Sequence, residues 1–390
     1  MPRYPMDSSA PFIGELAERL STEHDVTVLT PFDQLFENYK RPYTVVTYKY
    51  IWPEKLHRSG YSRVLDDNKM KPDMYVMSIL MSLFALYKLV VLTRREKFDV
   101  ITAHWVIPNG FIAFLASCIT RVPYTVTIPG SDVYLGSRKA YFRLAIRLAC
   151  KRAGAVLSDS EHYLNKLREL GVHSSRMQVI RYGVNEKSFY PVPKNKKILT
   201  SLGVSPHAKV ILCVGRFVEK KGFMYAIEAM PEILKSHKDA VLMLVGDGEQ
   251  KQLYERAIAR YKLTSVVFAG TIAYSQLINY YNCADCLIMP SIKDSAGNID
   301  ASPVAMMDAM MCGIPVVATR YSGDSTTVVD GVSGYIVAEK SSKAIAVAAV
   351  ALLKMNNKKI IKSNVRKIAV NTFSTKVTAL KYSQVFEAIQ

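Results

Sequence analysis

The chain is short of acidic residues, and it lacks a second CxxC pair, a zinc-spaced histidine pair and a leader-like start. Its 33 Asp and Glu face 51 Lys and Arg, leaving a net charge of +18. That balance argues against a cationic partner and for an anionic one: a phosphorylated substrate, an acidic membrane surface or nucleic acid. No aromatic-rich recognition motif accompanies the charge, so nucleic acid is not expected. Cys283-Ala-Asp-Cys286 has redox or metal spacing. Without a second pair or histidines at zinc spacing it is expected to be packed thiol rather than a ligand set. All six cysteines (Cys118, Cys150, Cys213, Cys283, Cys286 and Cys312) lie in or beside apolar runs. That suits reduced thiols in the cores of a cytoplasmic chain. Pro2, Pro5, Asp7 and Ser8 open the sequence where a signal peptide would carry a basic stub and an apolar core. No internal repeat or low-complexity tract is visible.

What is present is enough for two domains. The chain has 390 residues, 49% of them hydrophobic and 22% charged, which is globular composition with material for two cores. Apolar runs alternate with helical patterns, which predicts α/β architecture with parallel sheets. Strands are expected at Asp25–Leu29, Val100–Ala103, Tyr124–Ile128 and Ala155–Ser158. Met74–Leu92 approaches membrane-spanning length. It is expected to be a buried helix feeding the next strand, with a membrane-inserted segment as the alternative. Tyr190-Pro-Val-Pro-Lys-Asn-Lys-Lys197 reads as a linker. A second series follows, with strands at Val210–Val214, Val241–Val245, Val266–Ala269, Cys286–Met289 and Pro315–Ala318 and helices between them. The expected division is 1–193, 194–372 and a last amphipathic helix over 373–390. Two doubly wound domains would bind ligand beyond the carboxyl ends of their strands, in the cleft between them.

Four stretches carry candidate chemistry. Val214-Gly-Arg-Phe-Val-Glu-Lys-Lys-Gly222 follows a strand and opens a helix. Gly215 lets the backbone approach a ligand, and Arg216 and Lys221 set two cations beside it, as a departing diphosphate requires. Val245-Gly-Asp-Gly248 contributes Gly246 and Gly248, a turn too short for a dinucleotide fingerprint. Asp300-Ala-Ser-Pro-Val-Ala-Met-Met-Asp308 places two carboxylates around a helix start. Asp300 can cap that helix or accept hydrogen bonds from a sugar. Asp308 can grip vicinal ribose hydroxyls or serve the helix structurally. The N–H groups around Ala301, Ser302, Pro303 and Val304 form a helix N-terminus suited to an anion. Tyr321–Thr327 is expected to open a further helix and could cradle phosphate, although Gly323 by itself reads simply as a turn. Elsewhere, Lys139, Arg143, Arg147 and Lys151 recur every four residues with Tyr141, Leu144 and Leu148 between them. That pattern suits either a solvated helix face or docking on an anionic membrane.

In this order the pieces resemble glycosyltransferase family 4, retaining enzymes of the GT-B fold. The resemblance rests on the Gly215-Arg216…Lys221-Gly222 turn, Gly246-Asp-Gly248, the Asp300…Asp308 stretch and Ala309-Met-Met-Cys-Gly-Ile-Pro-Val-Val317. His104-Trp-Val-Ile-Pro-Asn-Gly110, Gly130-Ser-Asp-Val133 and Val179-Ile-Arg-Tyr-Gly-Val-Asn185 extend it into the first half. It implies two Rossmann-like domains facing across a cleft and sugar transfer from a nucleotide-diphosphate-sugar donor, with no cofactor and no metal; the sequence has no Asp-x-Asp. Arg216, Lys221 and Asp300 would be catalytic. Gly215, Gly246, Gly248, Ile272, Ala301, Ser302, Pro303, Val304, Asp308 and Gly323 would line the donor. His104, Gly130, Ser131 and Asp132 would face the acceptor.

Departures from the pattern sharpen the expectations. Both family glutamates are aspartates here, Asp300 and Asp308. Pro129 stands where a histidine usually precedes Gly-Ser-Asp, Ser322 replaces the first glycine of a Gly-Gly loop, and Thr326 replaces a glutamate. The loop Tyr4–Phe12 has no glycine and follows Met1 at once, so the first domain is expected to lack its opening strand. Polysaccharide, glycolipid or cell-surface glycan synthesis is the expected role, with a glycan or lipid-linked acceptor and a peripheral place on the inner face of a membrane. The alternative is a non-catalytic glycosyltransferase-like binding protein.

Overall fold

The structure is a computed structural model and describes residues 2–4, 10–57, 72–324 and 326–390. The loop Tyr4–Phe12 and residue 325 therefore lie partly or wholly outside the described residues. The chain forms two compact units: Met1–Gly183 with Thr378–Gln390, and Val184–Val377.

In the first unit, strands β1 (Thr27–Pro31) and β2 (Thr44–Tyr48) form a parallel pair. A separate four-stranded parallel sheet runs β3 (Ile101–His104), β4 (Tyr124–Ile128), β5 (Ala155–Ser158) and β6 (Met177–Val179) in that order. Among the described residues no strand precedes α1 (Pro11–Leu20). In a doubly wound sheet of order 3-2-1-4-5-6, the first strand would join the two ladders seen here. β4 and β5 are buried at every position, which explains their unbroken apolar and threonine sequences. Helices α3 (Phe111–Thr120), α4 (Leu135–Arg138), α5 (Ala140–Lys151) and α6 (Glu161–Glu169) connect them.

The helix expected at Met74–Leu92 exists as α2 (Pro72–Glu96), but it is not a buried helix. One side packs Met81 and Ala85 against Tyr48, Tyr50 and Ile112. The other leaves Val76, Ile79, Leu83, Phe84, Tyr87 and Val91 exposed. Apolar composition alone does not say which face, if any, the protein itself covers.

The second unit holds six parallel strands in the order β12-β11-β10-β7-β8-β9. These are β7 (Lys209–Val214), β8 (Ala240–Val245), β9 (Val266–Gly270), β10 (Cys286–Met289), β11 (Val316–Thr319) and β12 (Gly334–Val337). Helices α7 (Lys196–Ser201), α8 (Phe223–Ser236), α9 (Lys251–Arg260), α10 (Leu277–Tyr281), α11 (Val304–Met311), α12 (Ser342–Lys354) and α13 (Lys358–Phe373) belong to this unit. The winding reverses between β7 and β10, so the loops leaving those two strands diverge from one point.

The unit boundary falls at Gly183/Val184, ahead of the proline-rich stretch expected to be the linker. That stretch is held by the second unit. Phe189 is buried in its core, and Asn282 accepts from the Val192 N–H (2.8 Å) and donates to the Tyr190 carbonyl (3.0 Å). The last helix, α14 (Thr375–Ile389), packs Tyr382, Val385 and Phe386 into the core of the first unit.

Five cysteines are buried and Cys118, on α3, is exposed, which corrects the expectation of six packed thiols. Burial raises the Cys312 thiol to about 12 and holds Cys213 well above its ordinary value. A thiol-reactive dye should therefore label one cysteine rapidly in the native chain and all six in denaturant. Fast native labelling of Cys283 or Cys286 would contradict this packing.

Candidate functional site

The loops at the point of reversal are built for close backbone approach. Gly246, with φ of 135°, ends β8 against the loop leaving β7; a Cβ there would sit 2.0 Å from the Gly215 carbonyl oxygen. A Cβ at Gly248 would lie 2.7 Å from the Phe217 carbonyl. The two turns are joined by bonds from the Gly215 N–H to Val245 (3.0 Å) and from the Phe217 N–H to Asp247 (2.8 Å). Gly246 and Gly248 thus set the path of the chain around the exposed Arg216. Gly215 gives space of another kind, because the Lys221 side chain lies across it with Cε 3.1 Å from where a Cβ would be.

Lys221 ends a short turn, Glu219–Lys221, and points back over that glycine. Its Nζ donates to Asp300 Oδ2 at 2.7 Å, joining the loop after β7 to the loop after β10 across 79 residues of sequence. The side chains are 13% and 20% exposed, sheltered but open to solvent. Further bonds zip the same loops: the Ile292 N–H to the Lys220 carbonyl (2.9 Å), and the Ser295 N–H and hydroxyl to the Glu219 carboxylate (3.2 and 2.7 Å). Asp300 does not cap α11. The residue at that position is Pro303, and the helix start has no side-chain cap. The carboxylate is therefore committed to a cation, at the carboxyl ends of the two central strands.

The other expected donor residues surround this pair unequally. Ala301, Ser302 and Val304 are half-buried at the start of α11, and Ile272 is half-buried in the loop after β9. Asp308 is 1% exposed, and its Oδ2 accepts from the Tyr281 hydroxyl at 3.5 Å. Burial holds the Tyr281 hydroxyl well above its ordinary pKa, so it stays a donor. A ribose grip would require the Asp308 carboxylate to reach the surface.

The Tyr321–Thr327 loop does not open a helix. Asp324 Oδ1 accepts from the Thr326 N–H (3.0 Å), the Thr327 N–H (3.1 Å) and the Thr326 hydroxyl (2.6 Å). A carboxylate of the loop already occupies amides that a phosphate would use, an Asx-type turn that Asp followed by Ser-Thr-Thr could have signalled. Ser322 is buried and donates to the Met289 carbonyl at 2.6 Å, tying the loop to the end of β10 beside the buried Gly323.

In the first unit, His104 ends β3 and meets the Tyr182 hydroxyl through Nδ1 at 2.8 Å; its ring stacks on Tyr382 at 6.4 Å. Neither tyrosine was singled out from sequence, where only the Arg-Tyr-Gly stretch marked Tyr182. Desolvation lowers the imidazole to about 4, so it is neutral at physiological pH. Gly130 turns the chain after β4 into a turn over Ser131–Tyr134. Asp132 is buried there and accepts from the Val106 N–H, bracing Trp105, whose φ is 69°. Burial raises its carboxyl to about 7 against the lowering effect of four backbone N–H bonds.

Comparison with known proteins agrees with this architecture. Residues 195–367 match the family described as Glycosyl transferases group 1, and residues 9–183 match the Glycosyl transferase 4-like domain. The chain belongs to the group 1 glycosyltransferases. N-acetyl-alpha-D-glucosaminyl L-malate synthase of Bacillus anthracis is 24% identical over 306 residues, covering 74% of this chain and 76% of that protein. The amylovoran biosynthesis glycosyltransferase AmsK of Erwinia amylovora is 31% identical over 194 residues, 49% of this chain and 45% of that protein. The structure of Anabaena HepE in complex with UDP aligns with a TM-score of 0.73 at 19% identity, covering 100% of this chain and 98% of that one. That likeness gives the fold: GT-B, with two Rossmann-like units. The two family matches make the molecule a transferase.

Asp132 gives the glycosyltransferase a pH signature. Its folded pKa lies above the unfolded value, so the stability held by the neutral carboxyl is lost as pH rises through about 7. Asp132→Asn should raise Tm at about pH 8 by several degrees. The gap should shrink steadily below about pH 7 and nearly close near pH 4. A gap that does not change with pH would contradict a buried, titrating Asp132.

Proposed function

We propose that the second unit binds a nucleotide-diphosphate sugar at the Lys221–Asp300 pair and that the enzyme transfers the sugar with retention at the anomeric carbon. The observation that carries this is the 2.7 Å bond joining the loops of the two central strands. As the bond between the anomeric carbon and the diphosphate oxygen breaks, negative charge grows on the diphosphate. Lys221 neutralises it from the sheltered side and Arg216 from the exposed one. Asp300 orients Lys221 and accepts hydrogen bonds from the donor sugar; the acceptor hydroxyl oxygen forms the new bond to the anomeric carbon as its proton passes to the departing diphosphate oxygen. Two cations fulfil the role a metal would play, so the proposed reaction uses none. Asp308 holds α11 through Tyr281, and His104, neutral and fixed by Tyr182, serves the acceptor side with the Gly130–Asp132 turn.

The acceptor class that fits is a glycan or lipid-linked sugar, which the name of AmsK supports. The place that fits is the inner face of an anionic membrane. On α5 the exposed Lys139, Arg143, Arg147 and Lys151 lie beside the exposed Tyr141, Leu144 and Leu148.

A panel of nucleoside-diphosphate sugars, beginning with those of UDP, should raise Tm for the cognate donor and support its turnover. Lys221→Ala should lower turnover by roughly 10²- to 10³-fold, far more than the modest fall in ligand-free Tm that an unpaired Asp300 brings. Full turnover by that variant, or no response to any donor, would refute the assignment.

A further inference from the structure

Helix α2 is long and apolar enough to cross a membrane over its 21 residues Val76–Glu96, yet only 17% of its most apolar window is buried inside the protein. From Val76 to Val91 its outward side carries no acidic residue, and Lys88 is the sole charge on the helix there. Ile79 is 61% exposed, Leu83 58% and Tyr87 67%. These positions, with Val76 and Val91, recur every three or four residues and form one stripe. A stripe this apolar, left in water, calls for a covering partner.

We infer that α2 is a lipid-inserting element which lies in the plane of an anionic membrane and embeds its outward stripe among the acyl chains. It does not span the bilayer. Met81 and Ala85, on the opposite side, are buried against Tyr48, Tyr50 and Ile112, so a transmembrane placement would dismantle that core. The protein body takes the part that a polar face plays in an ordinary interfacial helix.

Neighbouring features choose lipid over a second protein. Trp52, two residues after the Tyr50 that packs on α2, is 79% exposed, and Tyr87 and Tyr141 add large amphipathic rings, the residue types that sit at headgroup level. Arg94 and Arg95 are exposed at the end of the helix. Helix α3 packs against both α2 and α5 and leaves Ile119 exposed, so the apolar stripe and the basic stripe belong to one helical layer. Aliphatic area flanked by cations matches an anionic bilayer. A protein interface would ordinarily bring polar pairing groups into the rim, and the exposed stripe of α2 offers only the Tyr87 hydroxyl.

This inference deepens the membrane-surface part of the proposed function and is independent of the donor chemistry. It is tested with the full chain, using vesicles of phosphatidylglycerol mixed with phosphatidylcholine and vesicles of phosphatidylcholine alone. The double variant Ile79→Gln, Leu83→Gln keeps every charge and alters exposed positions only, so its Tm should match the parent's. The parent should co-sediment with the mixed vesicles. The double variant should bind them about tenfold more weakly, and Leu253→Gln, on exposed α9 of the second unit, should bind as the parent does. Alkaline carbonate should strip the parent from the vesicles. Equal binding by parent and double variant would overturn insertion by α2 while leaving charge-based docking through α5 in place. Failure of the parent to bind either vesicle would overturn both. Resistance to carbonate would overturn the in-plane placement. A parent that dimerises in solution through the stripe and ignores lipid would also overturn the proposal. Donor turnover in vesicle-free solution should be the same in all three proteins, so the donor reading stands or falls separately.

Discussion

The bond between Lys221 and Asp300 is the constraint on which the second unit is organised. A sheet wound outward in both directions from one pair of central strands leaves a crevice where the winding reverses. Here β7 and β10 are that pair, and the two residues meet above them at 2.7 Å although 79 positions separate them. Neither side chain could hold this place without its loop. Gly215 clears the path for the lysine, Gly246 lets the β8 turn close on Gly215, and the Glu219–Ser295 bonds keep the two loops together. On the proposed reading a diphosphate leaving group meets a cation already held in position by the paired carboxylate.

Replacing both expected glutamates by aspartates has different consequences at the two positions. At Asp300 the shorter side chain reaches a cation and stays partly exposed, so the pair can still face a ligand. At Asp308 it is withdrawn into the unit beside Tyr281. The two carboxylates look equivalent in the linear motif; in the fold, one faces the crevice and the other holds a helix.

Much of the fold was legible because buried parallel strands are continuous apolar runs. Tyr124–Ile128, Ala155–Ser158 and Cys286–Met289 are found where the pattern put them. The strands that escaped notice, β2, β6 and β12, sit at sheet edges with half-exposed residues, so their sequences carry little apolar signal. The direction of α2 was illegible for another reason: an apolar sequence specifies that water is unfavourable and leaves open whether protein or lipid replaces it. At the site, Arg216, Lys221 and Asp300 were singled out from residue type and order, and the fold brings Lys221 and Asp300 together. Tyr182 and Tyr281 were not, because a buried tyrosine in an apolar stretch looks like core until its hydroxyl is seen to have a partner. The Asp324 turn was misread because its small residues resemble a phosphate loop, when the carboxylate inside it fills its own amides.

On the proposed reading the two units carry separate tasks: charge neutralisation at a strand reversal in the second, and a layer of apolar and basic helices in the first. The central claim is that Lys221 and Asp300 act as one device on the donor. Measuring donor turnover for Lys221→Ala, Asp300→Ala and the double variant tests it directly. Residues acting as a unit give strongly non-additive losses, so the double variant should be about as slow as Lys221→Ala alone. Losses that simply multiply, with each variant acting as though the other residue were intact, would contradict the account.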